Sequence, residues 1–462
     1  MVFFRLRRKV GKVLGLVLRP SVIMTLIFAG AGAQIIWVYV VVSGYRQRVQ
    51  PSNPLVGNVA PLAPSQGRDQ PGVPRLEKGE FVKRHRLPPD AMNRYTNTKE
   101  FLIYGSLNNM EDFPELRGML DIFAKDTPGT YWTYAPVFCP DMNTIIGLTV
   151  STDYSEFRTK DAVVFGMLPK MLANNLGELL NKEPHAGQTW IYFSTESPFR
   201  TMRWVKDMRL ASLKYHKLMT YNRQSDIVFP FGYTVTNRTA ENYLSRNFAQ
   251  EKSKLIAWMA SNCEEIFWPR NEYVERMREL VKVDTYGRCG SIDCLPRSSE
   301  RCTRILGQYK FYLALTNSEC QDYITEKFWD TALKHDIVPV VGGAPREDYE
   351  RVAPQNSFIH IGDFNTVRQL VDYLLLLDKN DAMYNTYFEW KQTRSVVTRF
   401  PPKPELFCSM VPHLVDGRTR VKKLGKSPWF KTCRNEVTMD SSVRARARVL
   451  DNNFNSWTPW RL

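Results

Sequence analysis

The chain has 462 residues, enough for two ordinary domains or one large two-lobed one. At 43% hydrophobic and 24% charged, its composition is globular rather than disordered. The net charge of +16 would suit a nucleic-acid binder, yet no zinc-finger spacing, RNP-like aromatic motif or repeat accompanies it. The basic residues are spread along the chain, and an acidic small-molecule partner fits the charge as well.

In chain order, residues 1–20 carry Arg5, Arg7, Arg8, Lys9, Lys12 and Arg19 and no acid. Residues 21–45 contain no charged side chain, and Val22 to Val42 is long enough to span a bilayer as a helix. Only Arg46 and Arg48 follow closely, so the charge asymmetry predicts a cytosolic tail and a type II anchor. The small residues of AGAGA (29–33) would suit a cleavage site, but the apolar run continues through IIWVYVVV, too long for a typical signal peptide. Residues 46–94 read as a stem, with eight prolines between 46 and 92 and no apolar period. Globular patterning begins near Tyr95.

All eight cysteines lie after the anchor. In an oxidising lumen disulfides are the default, and the pairing cannot be read from spacing. Cys289, Cys294 and Cys302 match no common zinc spacing, so no metal site is expected. Asn237-Arg238-Thr239 is a glycosylation sequon, with Asn237 as the acceptor.

Beyond the stem, short apolar runs alternate with helix-like stretches. FLIYG (101–105), DAVVF (161–165), TWIYF (189–193) and DIVFPFG (226–232) form one group. KLIAWMA (254–260), VKVDTYG (281–287), YKFYLAL (309–315), DIVPVVGG (336–343) and FIHIGDF (358–364) form a second. Runs apolar on both faces read as buried parallel strands. The alternation predicts an α/β fold of two doubly wound lobes facing a cleft. The lobes are expected at 95–245 and 246–400, with a C-terminal extension over 401–462.

One hand-over in the second group carries unusual chemistry. After YKFYLAL come Asn317, Tyr323, Glu326 and Lys327, then the helix-like TEKFWDTALKH (325–335), with Thr325 as its expected N-cap. Ligands of open α/β sheets sit beyond the carboxyl ends of strands, and a helix start favours an anion. A lysine there runs against the helix dipole unless an anion sits beside it. An ordinary strand–loop–helix with a solvated lysine is the plain alternative.

The stretch YKFYLALTNSECQDYITEKFWDTALKHDIVPVVGGAPREDYERVAPQNSFIHIGDF (309–364) resembles the donor-binding motif of the α1,3-fucosyltransferases, glycosyltransferase family ten. TWIYFSTESP (189–198), YNRQSDIVFPFG (221–232), AWMASNC (257–263) and VDTYGRCG (283–290) resemble further family blocks in the family's order. The resemblance implies two Rossmann-like lobes of the GT-B type, GDP-fucose as donor, and inversion at the anomeric carbon. It implies donor-binding roles for Arg270, Asn317, Tyr323, Glu326 and Lys327. Lys327 and Arg270 would meet the diphosphate, and Glu326 the ribose or fucose. Glu196 would be the general base. Taken singly, these residues have plainer readings: a capped turn for Glu196, a turn for Asn317, packing for Tyr323, and a surface ion pair with Glu272 or Glu275 for Arg270.

Two departures stand out. The family's FEN is Leu315-Thr316-Asn317 here. GMLPK (166–170) stands where relatives that build Lewis-type antennae tend to carry histidines. The cysteine-bearing CGSIDC (289–294) looks more like relatives, including those of invertebrates, that fucosylate the N-glycan core. The implied activity is therefore α1,3-fucosyl transfer to GlcNAc of glycoprotein N-glycans in the Golgi, with the core GlcNAc favoured. The alternatives are an antennary or protein O-fucosyltransferase, or a non-catalytic lectin-like relative. The chain has no D-x-D. Lys327 and Arg270 are expected to replace a metal at the leaving diphosphate, with divalent ions at most stimulatory. No nucleic-acid partner is expected.

Overall fold

The computed structural model describes residues 77–433 apart from 89, 238–245, 265, 295–298 and 416–418. The expected anchor at 21–45, and the rest of the chain before Glu77, lie outside the described residues. Among those described, no helix is long and apolar enough to cross a membrane.

The first lobe is built on seven strands in the order β2-β3-β1-β4-β5-β7-β8. They are β1 (Asn97–Tyr104), β2 (Tyr134–Cys139), β3 (Thr144–Ser151), β4 (Ala162–Phe165), β5 (Thr189–Ser194), β7 (Lys217–Thr220) and β8 (Ile227–Val228), with β6 (Lys214–Tyr215) outside the sheet. Only β2 runs antiparallel to its neighbour. Side chains alternate along β5: Trp190 and Tyr192 enter the core on one face, Ile191 and Phe193 the core on the other. A strand buried on both faces cannot show polar alternation, which is why TWIYF reads as a continuous apolar run.

A ribbon strand β9 (Gly232–Thr236) leads to the second lobe. Its five parallel strands lie in the order β11-β10-β12-β13-β14. They are β10 (Lys254–Met259), β11 (Val283–Tyr286), β12 (Tyr309–Leu315), β13 (Val338–Gly342) and β14 (Ile359–His360). Phe311, Leu313 and Leu315 face a core capped by helices Arg270–Arg278 and Val367–Asp378. Tyr312 and Ala314 face a core shared with the first lobe, which also holds Tyr192, Tyr221 and Phe231. The two sheets thus meet through one continuous apolar layer. Strand β15 (Arg394–Thr398) pairs with β9, and the chain then returns to the first lobe.

That return differs from a separate extension starting at 401. Leu406, Phe407 and Met410 enter the first lobe's core, Cys408 is disulfide-bonded to Cys139, and β16 (Lys422–Lys423) pairs with β6. The other disulfides are Cys263–Cys289, Cys294–Cys302 and Cys320–Cys433. The folded body also begins earlier than Tyr95. Helix Lys78–His85, inside the expected stem, buries Phe81 and His85 against the lobe. His85 Nε2 lies 2.9 Å from Glu100 Oε1, and Lys160 Nζ donates to Glu100 Oε2 at 2.9 Å. Gly147 makes room for this: a Cβ there would lie 2.1 Å from the His85 ring.

Candidate active site

Glu196 sits in the short link between β5 and helix Pro198–Val205, at the carboxyl end of a strand. Ser194 Oγ accepts from the Glu196 amide at 3.1 Å. The turn's cap is the neighbouring Ser197, whose Oγ accepts from the Arg200 amide at 3.2 Å. Glu196 therefore does not cap the turn, and its carboxylate is available for chemistry.

That carboxylate reaches the second lobe. Tyr323 donates from its hydroxyl to Glu196 Oε2 at 2.9 Å, joining residues 127 apart in sequence. Ser197 Oγ and Ser318 Oγ make a second link at 2.7 Å. Burial pushes the Glu196 carboxyl above the usual range, opposed by the Arg200 charge, the Tyr323 hydrogen bond and, more weakly, the Lys327 charge. Burial also pushes the Tyr323 phenol well up, so it stays a neutral donor. Its ring packs 4.8 Å from that of Tyr221 in the first lobe.

Tyr323 belongs to the loop that follows β12. Thr316, which stands where the family has glutamate, turns inward: its Oγ1 donates to Ser318 O at 2.8 Å. It packs against Gly343, where a Cβ would come 1.9 Å from that oxygen. The substitution therefore lies beneath the loop, in its packing. Asn317 O accepts from the Phe267 amide at 2.9 Å, and Asn317 Oδ1 accepts from Ser318 Oγ at 2.9 Å. Asp322 adopts a left-handed φ of 61° and accepts from Asn222 Nδ2 at 2.9 Å, another tie between the lobes.

Glu326 and Lys327 open a helix, but not with the expected cap. Thr325 Oγ1 is buried and makes no hydrogen bond within the described structure. The first turns are π-helical over Lys327–Ala332 and 3₁₀ over Leu333–His335. π-turns are rare and concentrate at functional sites. Lys327 Nζ is held at 2.5 Å by Glu326 Oε1, and both side chains keep part of their surface exposed. The lysine thus has a local partner that an anion can displace.

Arg270 is the first residue of helix Arg270–Arg278 and is 2% exposed, which rules out a surface ion pair. Its Nη1 donates to Leu315 O at 3.2 Å and Nη2 to Asn262 O at 2.6 Å, while Nε is buried without a hydrogen-bond partner. Burial lowers its pKa to about 10. A buried guanidinium bonded to carbonyls, with an orphaned N–H, is poorly compensated.

Asn237 lies at the end of β9 with its amide on Thr393 O at 2.8 Å; Arg238 and Thr239 lie outside the described residues. A cavity of about 520 Å³ opens between helix Glu300–Leu306, Asp330, Lys334 and the segment Thr398–Leu406, and no candidate residue lines it. No cluster of three or more His, Cys, Asp and Glu that could hold a metal occurs among the described residues.

Sequence reasoning missed Arg200, four residues after Glu196, and the contribution of Trp429. Helical spacing could have suggested Arg200. Nothing local pointed to Trp429, whose Nε1 donates to Glu196 O at 3.1 Å from 233 residues away.

Two α/β lobes meet here, with a carboxylate on one set against a loop on the other that carries a lysine, beside a buried arginine. Comparison with known proteins identifies the class. Residues 249–426 match the glycosyltransferase family 10 (fucosyltransferase) C-terminal domain, and residues 119–232 match the fucosyltransferase N-terminal domain. A human 4-galactosyl-N-acetylglucosaminide 3-alpha-L-fucosyltransferase is 34% identical over 273 residues, 57% of this chain and 72% of that protein. The chain belongs to glycosyltransferase family 10, the fucosyltransferases.

The Drosophila melanogaster glycoprotein 3-alpha-L-fucosyltransferase A is 39% identical over 187 residues, 39% of this chain and 36% of that protein. Human alpha-(1,3)-fucosyltransferase 4 is 35% identical over 251 residues, 53% and 46% of the two chains. This chain therefore matches between about a third and a half of the length of these two relatives. Among solved structures, an alpha1,3-fucosyltransferase with GDP-fucose aligns with a TM-score of 0.39 and 14% identity, covering 67% of this chain and 86% of that one.

Proposed function

We propose that the chain is an inverting α1,3-fucosyltransferase that moves L-fucose from GDP-fucose to GlcNAc of glycoprotein N-glycans, the core GlcNAc being favoured. The carrying observation is the Tyr323–Glu196 hydrogen bond, which sets the carboxylate of one lobe against the cation-bearing loop of the other. In the proposed reaction the acceptor oxygen attacks fucose C1 and passes its proton to Glu196. The C1–oxygen bond breaks, and its electron pair leaves on the β-phosphate of GDP. Lys327 and Arg270 stabilise that charge, so no metal is obligatory and transfer is expected to persist in EDTA. Asn317, Tyr323 and Glu326 orient the donor. The lobes correspond to a GT-B arrangement, held by residues 21–45 in the Golgi membrane with the catalytic part lumenal.

Preference for the core rests on the CGSIDC segment, on GMLPK at 166–170, and on the Drosophila relative's name. The match to the human 4-galactosyl-N-acetylglucosaminide enzyme favours a second reading, the same transfer to antennary GlcNAc. Incubating the full-length protein with labelled GDP-fucose and defined glycans decides between them. Label on core GlcNAc alone is expected. Label on antennae alone selects the second reading, and no label on any glycan removes both.

A further inference from the structure

The two loops that carry the candidate chemistry share a support that neither lobe's sheet supplies. The segment Leu424–Cys433 follows β16, which pairs with β6, and touches both. Trp429, fully buried, donates from Nε1 to the main-chain oxygen of Glu196 at 3.1 Å. Its ring packs 5.3 Å from Tyr192 on β5, the strand that delivers Glu196. Three residues on, Thr432 O accepts from the Gln321 amide at 3.0 Å. Cys433 then forms a disulfide with Cys320 and pairs with it as an isolated antiparallel bridge. Gln321 is two residues before Tyr323. Five residues of one strap, 429 to 433, therefore hold the main chain of the Glu196 link and of the Tyr323 loop at once.

We propose that this strap sets the spacing between base and leaving-group site, with Trp429 a positioning residue for Glu196 and Cys320–Cys433 the anchor of the donor loop. The inference rests on the transferase reading given above. Base and leaving-group site sit on different lobes, and a misplacement of about 1 Å costs about 10² in rate. The direct ties between the two loops, Tyr323 to Glu196 and Ser197 to Ser318, are side-chain hydrogen bonds, which fix side-chain distances and hold neither main chain. A strap bonded to both main chains holds them. Trp429 touches no reacting atom, so its effect falls on the geometry of Glu196 and not on donor affinity.

The test uses the full-length protein. Trp429→Phe keeps a buried ring and removes the N–H. It is expected to lower kcat about tenfold, the order of one lost hydrogen bond, with KM for GDP-fucose within about twofold of wild type. Amide exchange should quicken at residues 194–197 and stay slow in the rest of the first lobe. Cys320→Ser with Cys433→Ser should act at the other end: a several-fold higher KM for GDP-fucose, and faster exchange at Gln321 and Tyr323. Wild-type kcat and exchange in Trp429→Phe overturn the proposal. So does exchange raised throughout the first lobe's core with donor KM and kcat lost together, since that is packing alone. If the wild-type protein transfers fucose to no acceptor, the functional reading fails separately, and the exchange pattern still decides whether the strap holds the two loops.

Discussion

The two lobes use the same strand–helix grammar and differ in how they are completed. The second lobe's sheet is entirely parallel and comes from one continuous stretch, β10 to β14. Its site residues Asn317, Tyr323, Glu326 and Lys327 follow one strand within twelve positions of Leu315. The first lobe has an antiparallel edge strand, borrows its entry helix from the stem region, and receives Leu406, Phe407 and Met410 from the far end of the chain. It also carries the buried network of Glu100, His85 and Lys160. In the proposed reading most of the donor site is written locally, in the loop after β12, and only Arg270 joins it from another element. The base must meet that loop from outside, so its position depends on contacts 100 or more residues apart in sequence.

The comparison predicts that base and donor-loop variants fail in different ways. Glu196→Gln should lower transfer by about 10²–10⁴, the usual range for a general base, while calorimetry shows GDP binding unchanged. It should also be at least as stable as wild type at neutral pH. The Glu196 pKa is raised in the folded state, mainly by burial. Its protonated form therefore favours the fold below the unfolded value, and that gain is lost as pH rises through the folded value. A thermal midpoint below wild type at pH 7 would count against a desolvated carboxylate.

The first lobe's charge network gives the largest stability effect. Burial raises the Glu100 carboxyl, but His85 and Lys160 outweigh it and hold the group below the usual range. Removing one partner of a fully buried pair costs about 3–5 kcal/mol. Lys160→Met should lose that much in denaturant titration and keep wild-type kcat per folded molecule, because Lys160 lies outside the site. A selective loss of kcat would mean the network reaches the cleft.

In the donor loop, Lys327→Ala should lower kcat by about 10²–10³, as for one lost preorganised electrostatic group, with a smaller effect on GDP affinity. Lys327→Arg should rescue poorly, since a planar guanidinium is not a point charge. Wild-type kcat in Lys327→Ala would reduce the segment to a strand, a turn and a helix.

The same asymmetry governs what could be read from sequence. β12 and its loop were legible because a fully buried strand and a polar cluster adjoin each other. β1, β4, β5, β10, β11 and β13 were legible as apolar runs. β2 and β3 were not, though TIIGLTVS is buried over seven of its eight residues. Gly147 interrupts that run to seat His85, a tertiary reason with no local mark. Helix Lys78–His85 is short and mostly charged, with Phe81 its one fully buried apolar side chain, so proline content nearby made it read as stem. Thr325 has the residue type of an N-cap, but the π-turn that starts at Lys327 leaves its hydroxyl unbonded. Asn317, Tyr323, Glu326 and Lys327 stood out as a polar cluster after a strand, while the roles of all four, and of Arg270 and Glu196, were named from the family resemblance. The meeting of Glu196 with Tyr323 follows from packing that no local spacing encodes.

The smallest effect probes the seam itself. Tyr323→Phe removes the one hydroxyl that bonds the first lobe's carboxylate from the second lobe's loop and leaves the ring against Tyr221. Donor contacts through Glu326 and Lys327 remain, so KM for GDP-fucose should change little and kcat should fall about tenfold, in line with one hydrogen bond to a charged group. The pH dependence carries the sharper signature. The Tyr323 bond lowers the Glu196 pKa, against burial, which raises it. Without it the carboxylate is protonated at higher pH, and a general base works only when deprotonated. The acidic limb of the kcat profile should therefore move to higher pH in Tyr323→Phe, and the loss relative to wild type should shrink as pH rises above that limb. An acidic limb at its wild-type position would show that the hydrogen bond steers the tyrosine and does not tune the base, and the two lobes would then be joined at this point by packing alone.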